Sequence, residues 1–331
     1  MPDRRKKTIE LFREFYENYG APMIHESFPE YENRIAVGLV GEGSDCFGFD
    51  DEISRDHDFG LGFCMWLHAE DYAKIGEQLE NIYRNLLAGK GAEFSRQIFG
   101  EGTASCNPRF DSRRGVFEIT DFYKRLLRIP VENEEELLIE NKVYHAEERF
   151  LATAVNGMVF RDDDRTFSLI RERLLKHYPE HIRRLKLAQE MHLFSHGGQS
   201  NYPRMMARKD YVAARLALDL SIKSAMHMAY LLNGVYMPYY KWQRRGLDEL
   251  KRLSELGPLL DMLCVLCVQN NAWEGKTYDA TVLNTADPVV VILEQIAGLL
   301  LAELNRQGIV NGSETFLEIY SAETAARASE P

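Results

Sequence analysis

The sequence lacks the long apolar runs of a membrane protein. No stretch approaches the ~20 apolar residues that span a bilayer, and the basic segment 1–7 is not followed by the apolar core of a secretory signal. The sequence therefore predicts a cytoplasmic protein without a membrane partner. Hydrophobic residues still make up 45% of the 331 residues, which excludes general disorder and favours about two domains.

Cysteine is scarce, and its distribution does not suggest disulfides. The five cysteines are scattered along the chain, unlike the paired spacing of a disulfide framework. Cys264 and Cys267 have CxxC spacing, but they lie in the apolar segment 259–268. The pattern favours burial in a core over a metal or redox role, because free cysteine packs as a small hydrophobic residue.

Positive charge is also in deficit. The chain has 40 Lys and Arg against 51 Asp and Glu, a net charge of −11. Proteins that hold a nucleic-acid backbone normally present a basic face. The composition therefore argues against a nucleic-acid partner and favours a small molecule or a protein as substrate, while the oligomeric state is left open.

The first 130 residues have a mixed α/β pattern. Apolar spacing of three and four predicts helices over 4–19, where Gly20, Pro22 and Pro29 would end the helix, and over 69–87. Strands are predicted over 34–40, 57–67, about 93–98 and 115–120, with a short helix over 121–128.

Beyond Pro130 the pattern becomes almost entirely helical. Helices are predicted over 134–151, 166–177, 179–195, 209–232, 247–256, 258–269, 288–306 and 313–326. We therefore expect an α+β protein in which a mixed sheet with flanking helices, residues 1–130, precedes an all-α bundle, residues 131–331.

The motif with the clearest chemical meaning follows the first predicted strand. Gly41-Glu-Gly-Ser44 comes directly after the apolar run 35–40, and Asp56-His-Asp58 begins the next predicted strand. Residues i and i+2 of a strand point to the same face, so the two aspartates can share a hard cation such as Mg²⁺. A turn of backbone N–H groups can hold phosphate. Together they predict chemistry on a nucleoside triphosphate.

Strand, Gly-Ser, a spacer of eleven residues and an acidic-x-acidic pair resemble the signature of the nucleotidyltransferase superfamily with the DNA polymerase β-like fold. The wider segment 41–60 and the segment 238–242, Pro-Tyr-Tyr-Lys-Trp, are similar to a bacterial branch with a helical C-terminal domain. The resemblance implies that Gly43 and Ser44 contact the β- and γ-phosphates. It also implies that Asp56 and Asp58 bind Mg²⁺, with Mn²⁺ as an alternative, against ATP or another nucleoside triphosphate.

The superfamily often has a third carboxylate, which completes the metal site or acts as the base. Glu118 and Asp121 are the candidates. Glu118 is favoured because a charge among apolar strand residues needs a partner, whereas a helix N-terminus would explain Asp121. Without this carboxylate, the protein could bind nucleotide without turning it over.

Other polar residues near the motif have less specific explanations. His57 alternates to the face opposite the aspartates and is expected to pack. Asp45, Asp50, Asp51 and Glu52 form an acidic loop, for which solvation competes with a role of Asp50 and Asp51 in fixing the turn. The loop lacks the DxDxDG order of an EF-hand.

The helical half offers cations and a histidine pair. Lys241 lies among aromatic residues and is predicted to neutralise the triphosphate, against the alternative of a solvated basic face. That alternative is favoured for Arg204, Arg208 and Lys209. His192 and His196 have metal-ligand spacing, but no third ligand is evident.

The sequence thus predicts an enzyme that transfers a nucleoside monophosphate from a triphosphate, with ATP as first choice, to a hydroxyl of a small molecule or protein. Two alternatives stay open: a nucleotide-binding regulatory protein without turnover, and a helical interaction module with the N-terminal part as scaffold.

Overall fold

A computed structural model describes residues 7–51, 53, 60–100, 113–266 and 270–328. The chain divides into two compact units, Met1–Leu175 and Lys176–Pro331. The sequence-based boundary at 130/131 falls inside the first unit. The α+β class is confirmed: helices predominate, and there is a small mixed sheet.

Unit 1 contains a four-stranded sheet and helices on both of its faces. Its strands are β1 (Ala36–Leu39), β2 (Cys64–Leu67), β3 (Gly115–Glu118) and β4 (Met158–Arg161). Its helices are α1 (Thr8–Phe15), α2 (Ala21–Ser27), α3 (Ser44–Phe47), α4 (Ala69–Leu86), α5 (Ala92–Phe99), α6 (Ile119–Leu127), α7 (Glu134–Leu137), α8 (Glu140–Val143), α9 (Glu148–Val155) and α10 (Thr166–Leu175).

The strand order in the sheet is β3-β2-β1-β4. β1 runs antiparallel to β2, with Gly38 opposite Cys64, and antiparallel to β4 on its other side. β2 runs parallel to β3, with Cys64 opposite Gly115. The end of β1, the start of β2 and the start of β3 therefore lie at one end of the sheet, which we call the turn end.

Alternation along the strands gives each face of the sheet its own core. Phe63, Met65 and Leu67 belong to an apolar cluster with α1, α2, α4 and α5. Trp66 points to the other face, where its ring stacks 3.8 Å from that of Phe167 in α10 and packs edge-on to Phe122 of α6. Side chains of the described helices thus cover both faces of the sheet.

The described residues of unit 2 form helices joined by turns and loops, without a strand. Unit 2 contains α11 (Glu180–Phe194), α12 (Tyr202–Ala207), α13 (Tyr211–Asn233), α14 (Tyr240–Leu247), α15 (Leu256–Val265), α16 (Pro288–Arg306) and α17 (Glu318–Arg327), with a π-helical segment at Ser195–Asn201. Asp287 begins α16: its carboxylate accepts the Val289 N–H and is fully buried.

α16 is the one described helix long and apolar enough to cross a membrane by length and composition. The sequence analysis expected none. Ten of its side chains are buried in unit 2, among them Ile292, Leu293, Ile296 and Leu300, as is typical of a core helix.

Several local predictions were wrong. The segment 93–98 is helical, within α5, because Phe94 and Ile98 are buried at helical spacing. The helical path does not end at Gly20, because a π-helical turn at Tyr16–Gly20 joins α1 to α2. Pro22 lies in the first turn of α2, where a proline is tolerated.

The sequence analysis also missed β4 and placed a helix over 247–256. Those residues form turns instead, because the side chain of Asn233 bonds both the N–H and the C=O of Arg252, which replaces helical bonds there. Cys264 was expected in the core but is exposed. Its CxxC partner Cys267 lies outside the described residues.

Candidate functional site

The turn after β1 is built on two glycines with positive φ. Gly41 has φ 130° and Gly43 φ 142°, a region that side chains other than glycine rarely enter. A β-carbon on Gly43 would also collide with the Asp45 carboxylate. Ser44 then begins the short helix α3. Both glycines are therefore required by the backbone, as the sequence predicted for a tight turn.

A side chain far away in sequence, that of Asn156, fixes the conformation of this turn. Asn156, directly after α9, accepts the Gly41 N–H (3.0 Å) and donates to the Gly41 C=O (2.8 Å). The next residue, Gly157, has no room for a β-carbon because the Leu39 carbonyl lies against it. Gly41 thus has both backbone groups satisfied and its conformation fixed.

A buried ion pair joins Asp45, which follows the turn, to Arg114, which directly precedes β3. The Arg114 guanidinium also lies 5.0 Å from the ring centroid of Phe12, and Asp45 accepts the Cys46 N–H. This pair explains Asp45 structurally, since a buried carboxylate needs a charged partner. It also ties the turn to the start of β3. Of the other acidic-loop residues, Asp50 accepts the Thr8 hydroxyl of α1, and Asp51 is exposed.

A cleft opens at the turn end on the α6 side of the sheet. It encloses roughly 430 Å³, open solvent included, and is lined by Val40, Gly41, Glu42, Arg113, Phe122, Arg125 and Leu126. Arg113 precedes β3. Arg125 reaches the same end because α6 runs back along the sheet after β3. Two arginines therefore face the space beside the glycine turn.

The thiols at this end are not nucleophiles near neutral pH. Burial raises the pKa of Cys64 to about 12, and the charges of Arg114 and Arg125 only partly oppose that rise. Burial and the nearby Asp45 charge also raise the pKa of Cys46. A cysteine acts as a nucleophile through its thiolate, so these two buried thiols are poor candidates for covalent catalysis.

The carboxylate pair of the motif, Asp56 and Asp58, lies outside the described residues, as do His57 and Glu52. What the structure describes is the strand that follows: β2 starts at Cys64, beside Gly38 of β1. The Cys64 thiol lies 4.0 Å from the Val40 carbonyl. The described chain thus enters β2 at the turn end.

Glu118 lies at the opposite end of the sheet from the 41–44 turn. It is paired with Leu67, three residues after the Cys64–Gly115 pair, a distance of about 10 Å along the strands. Its carboxylate accepts the N–H groups of Thr120 (2.8 Å) and Asp121 (2.6 Å) and so caps α6. Glu118 has the capping role that the sequence suggested for Asp121, which is exposed in the first turn. The structure does not bring Glu118 together with Gly43 and Ser44.

The predicted cations of the helical half all belong to unit 2. Lys241 is exposed in the first turn of α14, with its ammonium 5.4 Å from the Trp242 ring centroid. Arg204 bonds the Tyr278 hydroxyl (3.2 Å). Arg208 and Lys209 are both exposed, and Lys209 has a positive φ. These placements leave the role of Lys241 a prediction.

The histidine pair of α11 and its π-helical extension has other partners. His192 pairs with Glu318 of α17 (2.8 Å), and His196 bonds Asn201. Across the residues that the structure describes, no group of three His, Cys, Asp or Glu side chains is arranged to hold a metal ion. A role of Asp56 and Asp58 in binding Mg²⁺ stays a prediction.

The sequence analysis missed Arg113, Arg125 and Asn156. A signal existed for the first: the pair Arg113-Arg114 directly precedes a predicted strand in an acidic chain. Arg125 and Asn156 show no such signal, because only the return of α6 and the pairing of β4 with β1 bring them to the turn.

Comparison with protein families gave one match. Residues 144–243 match a family described as a domain of unknown function, DUF4037. The matched segment includes Asn156 and β4 of unit 1 and extends to Lys241 of unit 2, so it crosses the boundary between the units. Comparisons with curated proteins and with solved structures gave no match.

Proposed function

We propose that the protein is a nucleotidyltransferase that binds a nucleoside triphosphate, with ATP as first choice, at the turn end of unit 1. The observation that carries the proposal is the glycine turn after β1. Its backbone is held open by positive φ at Gly41 and Gly43 and fixed by Asn156. Successive N–H groups in a turn can form a concavity that suits phosphate oxygens, and in the proposal Gly43 and Ser44 supply them, since the Gly41 N–H is donated to Asn156.

The register of the sheet gives further support. The motif needs its Gly-Ser turn and its acidic pair at neighbouring strand ends. β1 and β2 are antiparallel neighbours, so the end of one lies beside the start of the other. In the proposal, Gly43 and Ser44 contact the β- and γ-phosphates, and Asp56 and Asp58 hold Mg²⁺. When bound, the cation would neutralise phosphate charge.

The reaction is transfer of a nucleoside monophosphate to a hydroxyl. The hydroxyl oxygen forms a bond to the α-phosphorus while the bond from that phosphorus to the bridging oxygen breaks. Pyrophosphate leaves, and the hydroxyl proton passes to water. The protein contributes mainly by positioning and by charge stabilisation, as is general for phosphoryl chemistry. Glu118 has no part in this step, because it caps α6 at the far end of the sheet.

The acceptor, a small molecule or a protein, stays a prediction, as does a cytoplasmic location. Incubating labelled ATP and Mg²⁺ with the full chain and a cell lysate separates the two acceptor classes by size. Pyrophosphate release gives a readout that does not depend on the acceptor.

The decisive variant is Asp56→Asn combined with Asp58→Asn. We expect it to abolish pyrophosphate release while leaving the unfolding temperature of the chain unchanged. Asp121→Asn, an exposed carboxylate on α6, is the matched control and should keep full activity. Unchanged nucleotide turnover in the double variant would show the proposal to be wrong.

A nucleotide-binding regulatory protein is the second candidate, favoured by the position of Glu118, the expected third carboxylate, which caps α6 at the far end of the sheet. It predicts stabilisation of the wild-type chain against heat by Mg²⁺–ATP, with no pyrophosphate released in any lysate fraction.

A further inference from the structure

We propose that Arg113 and Arg125 bind the terminal phosphates of the triphosphate, and that Glu42 competes with these phosphates for Arg113. This inference rests on the proposed function, since it assigns residues to the same nucleotide site. It replaces the expectation that the neutralising charge comes from Lys241.

The first ground is convergence. Arg113 and Arg125 are twelve positions apart in sequence, yet both line the cleft with Gly41 and Glu42. β3 leaves the turn end and α6 returns to it, which places the two guanidinium groups on the same space. In a chain of net charge −11, such a local pair of cations is where an anionic ligand gains most.

The second ground is the state of Arg125. Its guanidinium lies 4.7 Å from the ring centroid of Phe117 and 5.9 Å from that of Phe122. Stacking on a ring face orients the planar group and leaves its N–H edges directed sideways. Within the described residues, no carboxylate forms an ion pair with Arg125. The group is thus oriented and its charge is available to a ligand.

The third ground is the pairing of Arg113 with Glu42. The Arg113 Nε lies 3.6 Å from a Glu42 carboxylate oxygen, and the Glu42 side chain is 54% exposed. This contact is longer than a direct hydrogen bond, and exposed ion pairs contribute little to stability. A phosphate with several charged oxygens can displace such a carboxylate, because arginine bonds phosphate in a bidentate manner.

Phosphate, rather than a carboxylate ligand, fits the neighbouring backbone. Gly41 and Glu42 of the turn line the same cleft, and Gly43, the next residue, has a positive φ that suits a turn of N–H groups. A ligand that contacts both the turn and the two arginines must carry several acceptor oxygens over several ångströms. A triphosphate chain does, whereas a single carboxylate does not.

The test measures binding of ATP, inorganic triphosphate and adenosine to the full chain by calorimetry in Mg²⁺ buffer. Arg113→Gln and Arg125→Gln should each weaken ATP and inorganic triphosphate about 10- to 100-fold and leave adenosine unchanged. Lys124→Gln removes the same charge from an exposed position beside Arg125 on α6. It should stay within about twofold of wild type.

Glu42→Gln gives a prediction of opposite sign. Removing the competing carboxylate should tighten triphosphate binding about two- to fivefold. In a double-mutant cycle, this gain should vanish in the Arg113→Gln background, because it acts through Arg113.

The outcomes separate the inference from the proposed function. Wild-type affinity for inorganic triphosphate in both arginine variants, with ATP still bound, would overturn the inference alone. Binding that depends on the arginines, without pyrophosphate release in any lysate, would support the inference and count against the transferase. A wild-type chain that binds neither ATP nor triphosphate would overturn both.

Discussion

The side-chain amide of Asn156 bonds both backbone groups of Gly41, although the two residues lie 115 positions apart. A side-chain amide carries an N–H donor and a C=O acceptor side by side, so it can bond the C=O and the N–H of one residue. The contact joins the segment before β4 to the turn after β1. It makes the shape of the proposed phosphate turn depend on a residue in the DUF4037 match.

Replacing Asn156 by alanine should therefore loosen the turn. We expect a loss of about 1–2 kcal/mol in stability, the cost of two hydrogen bonds with partners left unpaired. Amide exchange at 41–44 should be faster, and nucleotide affinity about tenfold weaker. Asn156→Asp keeps the acceptor for the Gly41 N–H and should be intermediate. Unchanged amide exchange at 41–44 in Asn156→Ala would show that Asn156 does not fix the turn.

Glu118 should matter for the stability of α6 rather than for turnover. Its carboxylate accepts two N–H groups at the start of α6, so Glu118→Ala should cost about 1 kcal/mol in the free energy of unfolding. Glu118→Asp tests the length of the side chain. Pyrophosphate release per folded molecule should persist in both variants. A complete loss of turnover in a stably folded Glu118→Gln variant would restore Glu118 to the catalytic site.

Asp287 is predicted to be the most sensitive carboxylate of unit 2. Its fully buried side chain accepts bonds from the Tyr202 hydroxyl (2.9 Å), the Trp273 indole (2.6 Å) and the Val289 N–H (2.9 Å). Asp287→Asn turns one acceptor into a donor that faces other donors. We expect a loss of about 2–3 kcal/mol, measured by urea unfolding followed by circular dichroism. Asp279→Asn is the control: this exposed carboxylate bonds only Thr281 among the described residues, so its loss should change stability far less.

His68 should make the stability of unit 1 depend on pH. Its Nδ1 pairs with Glu134 (2.9 Å) and its Nε2 with Asp164 (3.0 Å), and only the protonated ring can donate to both. Burial opposes protonation, but the carboxylates of Glu134 and Asp164 outweigh it and raise the pKa of His68 above 6.5. The stabilisation is therefore complete below pH 6.5 and lost as the pH rises through the raised pKa.

The measurement is the free energy of unfolding of the full chain between pH 5.5 and pH 8.5. Wild type should lose up to about 1 kcal/mol across this range, and His68→Gln should lose less. His25→Gln is the control, since that histidine is exposed and Glu32 is its one hydrogen-bond partner in the part of the chain that the structure describes. If the stability of wild type and of His68→Gln changed with pH in the same way, the ion pairs of His68 with Glu134 and Asp164 would not contribute to the pH dependence.

Periodicity predicted the long elements well because it is a local property. α4, α11, α13 and α16 follow their apolar spacing, and β1 follows its apolar run. The short elements were less predictable. At 93–98, a window of six residues does not separate strand from helix. At 247–256, the side chain of a distant residue, Asn233, decided the conformation.

The sequence by itself determined the α+β class and the glycine turn, because apolar spacing and glycine content act on the chain locally. Only the tertiary structure decided what surrounds that turn. Asn156 clamps Gly41, Arg114 pairs with Asp45, and Arg113 and Arg125 converge on one cleft. Glu118, which the sequence favoured for the site, lies at the far end instead. Each of these depends on strand direction and register, which are set by packing between segments far apart in the chain.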